Sequence, residues 1–191
     1  MLPLLQIVIV STREGRAGPA VARWFTGVAG SHGKFRIEVV DLAEVNLPLF
    51  DEPHHPVLRK YTKDHTKAWS AIVDRADAFV FVTPEYNYGA PPSVVNAIDF
   101  LSHEWAYKAA GFVSYGGVSG GVRAVQSIKS IITSVKVMPM FEAVSLPFFA
   151  QQLDRATGVF SPPAMQAEAG VKMLDELRKW SDALAVLRVR G

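Results

Sequence analysis

Apolar positions along this chain alternate between short continuous runs and longer stretches with a helical repeat, the pattern of strands and helices taken in turn. Leu4-Leu5-Gln6-Ile7-Val8-Ile9-Val10 is nearly continuous, as in a strand covered on both faces of a parallel sheet, so it belongs near the centre. Ser11 to Pro19 is polar and glycine-bearing, and Val21, Phe25, Val28 and Ala29 then recur at helical spacing. A first helix is predicted from about Pro19 to Ala29, ended by Gly30-Ser31-His32-Gly33. Lys34 to Asp41 alternates instead, with Phe35, Ile37 and Val39 on one face and Arg36 and Glu38 on the other, as suits an edge strand. Asn46 to His55 carries Pro48, Pro53 and the pair His54-His55 and reads as a long surface loop, of the kind that serves as a lid or a partner contact.

The second half repeats the alternation. Trp69, Ile72, Val73 and Ala76 mark a second helix, and Asp77 to Val82 is a third, apolar strand. From Ser93 to Leu101 a helix shows Val94, Val95, Ala97, Ile98, Phe100 and Leu101, with Asn96 and Asp99 polar between them. Apolar on most of its circumference, it needs a second surface to bury, and a subunit interface is the predicted one. Gly111 to Tyr115 is a fourth strand, followed by a helix with Val125, Ile128, Ile132 and Val135 on one stripe. A fifth strand lies within Lys136 to Leu146; Pro139 cannot donate a ladder hydrogen bond, so this strand is also an edge. The last helix, about Pro163 to Leu187, carries Leu177, Trp180, Leu184 and Leu187. With strands one, three and four buried and strands two and five at the edges, the order is 2-1-3-4-5. That is a flavodoxin-like doubly wound α/β fold, a five-stranded parallel sheet with helices on both faces.

Composition acts mainly by exclusion. A chain of 191 residues that is 49% hydrophobic, without repeats or breaks in composition, predicts one domain over residues 1–191. Its 20 Lys+Arg and 18 Asp+Glu leave a net charge of +2, too little to point to nucleic acid. Cysteine is absent, which removes thiolate nucleophiles and Cys-ligated metals and suits a reducing compartment. No signal-peptide pattern or membrane-length apolar stretch is present, so the predicted location is cytoplasmic, with no membrane partner. Adjacent His54 and His55 lack metal-ligand spacing, and no metal is predicted. Ser11 and Ser114 have no nucleophile-elbow motif, which disfavours a hydrolase.

In the predicted topology, ligands bind at the carboxyl ends of strands one, three and four. The loop there after strand one is Ser11-Thr12-Arg13-Glu14-Gly15-Arg16-Ala17-Gly18. Two hydroxyls, two guanidinium groups, glycine-freed amides and a helix start together suit a phosphomonoester. After strand three comes Thr83-Pro84-Glu85-Tyr86-Asn87-Tyr88-Gly89-Ala90-Pro91-Pro92, whose prolines fix its shape before any ligand arrives. After strand four, Tyr115-Gly116-Gly117-Val118-Ser119-Gly120-Gly121 offers glycine amides at another helix start and lets a flat ligand approach closely.

Taken together, Ser11 to Arg16, Pro84 to Tyr88 with Asn96-Ala97-Ile98-Asp99-Phe100, and Ser114 to Gly117 with Gly120 to Ala124 resemble the NADPH-dependent FMN reductase family, which includes bacterial quinone, azo-dye and chromate reductases. The likeness runs from about Leu5 to Leu146. It implies that Ser11, Arg13 and Arg16 hold the phosphate of FMN. It also implies that Pro84, Glu85, Tyr86 and Asn87 lie along the ribityl chain and ring, largely through backbone groups, and that Tyr115, Gly116 and Gly117 contact the ring's other side. NADPH or NADH would supply hydride, a small molecule such as a quinone would accept the electrons, and no protein acid or base would be needed. The family forms dimers or tetramers, so a homodimer or homotetramer is implied. Two rivals remain at this point: a flavodoxin-type electron carrier and a flavin-binding redox sensor. Carriers of that type are strongly acidic, whereas this chain has a pI of about 8.9.

Overall fold

The structure, a computed structural model, describes residues 1–188. Its sheet contains β1 (Leu4–Ile9), β2 (Arg36–Asp41), β3 (Ala78–Pro84), β4 (Ala109–Tyr115), β5 (Met138–Pro139) and β6 (Val144–Leu146). They are parallel and ordered β2-β1-β3-β4-β5, with β6 also on β4. The predicted order is thus observed, but the fifth strand is broken. Met138 and Met140 both donate to β4, to the Lys108 and Ala110 carbonyls, so Pro139 between them turns its nitrogen away from β4, as an edge position allows; the chain leaves β4 only after Met140 and rejoins it at Val144.

Helices α1 (Gly18–His32) and α6 (Ala164–Ala185) cover one face of the sheet, burying Leu5, Ile7, Val80 and Val113. Between β2 and the covering loop lies a short helix, α2 (Leu42–Val45), which periodicity did not predict. On the opposite face α3 (Asp64–Asp74), α4 (Pro92–Asp99) and α5 (Val122–Ser134) bury Val8, Phe79, Phe81 and Phe112. Each such fully buried side chain contributes about 1.5–3 kcal/mol, which explains why the continuously apolar strands are central.

Two predicted stripes are displaced. In β2, Phe35 is buried but Val39 is 47% exposed, while Val40 is buried. Helix α6 turns Gly170, Met173, Leu174, Leu177 and Ser181 inward, leaving Trp180 at 38% and Leu187 at 50% exposure. The crossing with α1 sets this: a Cβ on Gly170 would stand 3.2 Å from Val28 and 3.3 Å from Phe25, so α6 turns its glycine toward α1 at the point of close approach.

The second face of α4 is covered by the chain itself. Asn96 donates to the Pro48 carbonyl at 2.7 Å and accepts from the Phe50 N–H at 2.9 Å, and Phe50 packs edge-on against Phe100. Phe100 is fully buried. The covering loop is itself pinned. Buried Glu104 accepts from Tyr61 at 3.0 Å and Ser70 at 2.7 Å, and Asp51 pairs with His65. Glu52 accepts from the Thr62 and Lys63 amides at 2.9 Å, capping the start of α3 from outside it. Burial raises the Glu52 pKa, but those amides and the Thr62 hydroxyl outweigh it and hold the carboxyl at about 2. A folded pKa below the unfolded one gives stability that is complete above the unfolded value and lost as pH falls toward 2. Glu52→Gln is therefore expected to be less stable than wild type at pH 7, with the gap closing in urea titrations between about pH 4.5 and 2; a constant gap would refute this role.

Candidate functional site

The register brings three loops to one edge. Ile9 lies beside both Asp41 and Val82, and Pro84 lies beside Tyr115, so the loops after β1, β3 and β4 emerge as neighbours. All ten predicted binding residues belong to these loops or their strand ends.

In the first loop Ser11 is fully buried, and its hydroxyl accepts from the Tyr115 hydroxyl at 3.3 Å. Among the described residues, the N–H groups from Thr12 to Gly18 have no protein partner, and no side chain caps the start of α1. Such a run of outward donors, at the positive end of a 15-residue helix, is a cradle for an anion. Gly18 lets the helix start pack against the end of β1: a Cβ there would lie 2.4 Å from the Ser11 hydroxyl and 2.9 Å from Ile9. Arg13 is exposed, and among the described residues its side chain bonds to the Glu14 carbonyl alone, at 2.8 Å. Arg16 is differently placed. It forks onto Asp41 at 2.6 and 2.7 Å and donates to the Ser11 carbonyl at 2.8 Å, and the Asp41 hydrogen bond raises its pKa against the effect of burial. Its guanidinium ties the loop to the end of β2.

The second loop begins with buried Pro84 and closes on itself: Tyr86 and Gly89 exchange hydrogen bonds at 3.1 and 2.9 Å around Asn87 and Tyr88. Both central residues have positive φ, 49° and 67°, as a two-residue hairpin turn of the primed type requires. Asn tolerates that conformation; for Tyr88 it costs about 1–2 kcal/mol. The Glu85 side chain turns away from this turn toward the third loop. There it accepts from Ser119 at 3.1 Å and from the Arg123 backbone and side chain at 3.1 and 2.8 Å. Burial raises the Glu85 pKa, and these donors bring it net below the ordinary carboxylate range.

In the third loop the Gly116 amide is spent on Leu146, and that of Gly120 on Gly117. The amides of Gly117 and Val118 have no protein partner among the described residues. These are the donors left for a flat ligand. Tyr115 points inward, 3% exposed and edge-on to Phe149, and burial pushes its pKa up to about 12. Its side chain therefore lies at the Ser11 end of the site, leaving its backbone beside the glycines. The start of α5 is already capped by Glu85.

Sequence reasoning missed Asp41, Arg123 and Ser93, whose hydroxyl donates to the Val10 carbonyl at 2.6 Å and locks α4 to the first loop. Only the Ser93 position had a local signal, at the start of a helix after two prolines. Among the described residues no three His, Cys, Asp or Glu side chains converge as metal ligands, and no helix is long and apolar enough to cross a membrane.

A phosphate cradle, free amides beside glycines and a preformed turn at the carboxyl end of a parallel sheet fit FMN in kind. The sequence profile described as NADPH-dependent FMN reductase matches residues 4–151. An NAD(P)H-dependent FMN reductase of Schizosaccharomyces pombe is 40% identical over 149 residues, 76% of this chain and 74% of that protein. Another, from a Nectria species, is 34% identical over 195 residues, covering 92% and 95%. The quinone reductase of Escherichia coli is 32% identical over 149 residues, 71% and 73% of the two chains. Among solved structures, a flavoenzyme NAD(P)H:(acceptor) oxidoreductase from Paracoccus denitrificans superposes with a TM-score of 0.73 at 20% identity, over 95% of this chain and 98% of that one. That likeness concerns the fold.

Proposed function

We propose that this chain, which belongs to the NADPH-dependent FMN reductase family, passes hydride from NADPH or NADH to FMN and then delivers the electrons to a small acceptor such as a quinone. Its class is that of an oxidoreductase using FMN and NAD(P)H; the quinone as acceptor is the part we add. The observation that carries the reading is the run of amides from Thr12 to Gly18, unpartnered among the described residues, beside exposed Arg13.

FMN, when bound, supplies an isoalloxazine ring that takes two electrons from a nicotinamide and yields them to a second molecule. What the chain contributes is placement. Arg13, Ser11 and the amides of loop one would hold the phosphate, with Arg16 bracing that loop through Asp41. The backbone of Pro84, Glu85, Tyr86 and Asn87 would follow the ribityl chain and one side of the ring. Gly116, Gly117 and the Tyr115 backbone would meet the other, where the free Gly117 and Val118 amides suit developing negative charge. No catalytic acid or base is assigned, because hydride transfer needs orientation more than proton transfer. The experiment that tests this is reduction of the bound flavin by NADPH.

We take the protein to act as one flavodoxin-like domain, in the cytoplasm, as a homodimer or homotetramer. With the second face of α4 already covered, the support for assembly moves to the covering loop. There Leu49 is 83% exposed, and just beyond it Val57 and Leu58 are 51% and 55% exposed, apolar surface that favours a subunit contact. Light scattering should give a dimer or larger, and Leu49→Lys should lower the mass; a wild-type monomer at micromolar concentration would remove the idea.

A further inference from the structure

We propose that Arg123 and Glu85 are positioning residues that latch the turn after β3 to the glycine loop after β4, fixing the width of the slot in which the ring sits. Glu85 leaves the second loop and supplies what α5 lacks, because the helix starts at Gly121, which has no side chain to cap it. The carboxylate takes the Arg123 N–H at 3.1 Å and the Ser119 hydroxyl at 3.1 Å, so it holds both the glycine loop and the first turn of α5. Its Arg123 partner then reaches back. The guanidinium is paired with Glu85 through Nε at 2.8 Å and through Nη2, while its central carbon stands 4.0 Å from the centre of the Tyr88 ring.

Tyr88 is 74% exposed and held in the left-handed region, so its own side chain is not anchored in the core. The stacked cation holds it, and among the described residues the other bonds of the turn are the two between Tyr86 and Gly89. One ion pair thus couples two segments that meet the ligand from opposite sides. The latch itself rests on the geometry of the protein alone; its effect on ligand rests on the flavin-site reading.

Amide hydrogen exchange on the flavin-free protein tests the latch. In Arg123→Ala and in isosteric Glu85→Gln, exchange at Tyr86, Gly89 and position 123 should accelerate at least tenfold, with β1 and β3 unchanged. Equal loss of protection in β1 and β3 would mean general destabilisation and would overturn the proposal, as would unchanged protection at Tyr86 and Gly89. In parallel titrations, both variants should weaken FMN and riboflavin by the same factor, since the slot holds the ring. Weakening of FMN alone would place the effect at the phosphate and overturn the ring-side role. If wild type bound neither ligand, the flavin reading would fail while the exchange result still decided the latch.

Discussion

Arg13→Ala is expected to weaken FMN about thirtyfold, about 2 kcal/mol, while riboflavin binding stays within about twofold, as when one charged hydrogen-bonding partner of a phosphate is lost. Riboflavin carries no phosphate, so the ratio of the two affinities isolates this contact from general damage to the site. Arg13 suits the role because, among the described residues, its side chain bonds only to the adjacent Glu14 carbonyl. Arg16 is separated from it by the same assay. If Arg16 acts by bracing loop one, Asp41→Asn should weaken FMN as Arg16→Ala does, because both break the fork between them. Were Arg16 itself the phosphate ligand, Asp41→Asn would release it and leave FMN binding intact or tighter. Equal weakening of FMN and riboflavin by Arg13→Ala would mean that loop one is not the phosphate site.

Gly121→Val should destabilise the fold by about 2–5 kcal/mol, from left-handed strain and overpacking together. Gly121 has φ of 85°, and a Cβ there would stand 2.9 Å from the Ser114 Cβ and from the backbone nitrogen and oxygen of Tyr115. Backbone of a central strand cannot yield as a flexible side chain could, so β4 and the start of α5 would have to part. Thermal unfolding should begin about 10 °C lower, on the scale of about 2–4 °C per kcal/mol for a chain of this size. An unchanged melting temperature would show that the turn relaxes freely and that the third loop is not rigidly set by β4.

The strand order was legible because it depends on local composition. Strands β1, β3 and β4 are buried at every residue, and continuous apolarity records that directly. Pro139 likewise marked the last strand as an edge, though no periodic signal told that the chain would leave β4 and return as β6. What could not be read was pairing over distance. Arg16 and Asp41 are 25 residues apart, and Glu85 and Arg123 38; Arg16 and Glu85 were expected at the ligand, nothing local marked Asp41 or Arg123 as their partners, and only the fold brings them together. The covering of α4 failed for the same reason. Its apolar circumference correctly announced a second buried face, but whether another subunit or the loop 46–55 supplied it lay in the Asn96 side chain's contacts with Pro48 and Phe50. The contact of Tyr115 with the ring's other side was implied by the family resemblance; what that did not tell is that its side chain follows the alternation of β4 inward to Ser11, leaving its backbone beside the glycines.

The most direct measurement is anaerobic titration of the purified, FMN-loaded protein with NADPH, and with NADH in parallel, while recording the visible flavin bands. The account predicts that at least one nicotinamide bleaches the bands at one equivalent, and that adding a small quinone restores the oxidised spectrum and supports steady turnover. A protein that binds no FMN, or whose bound FMN stays oxidised with both nicotinamides, would contradict it.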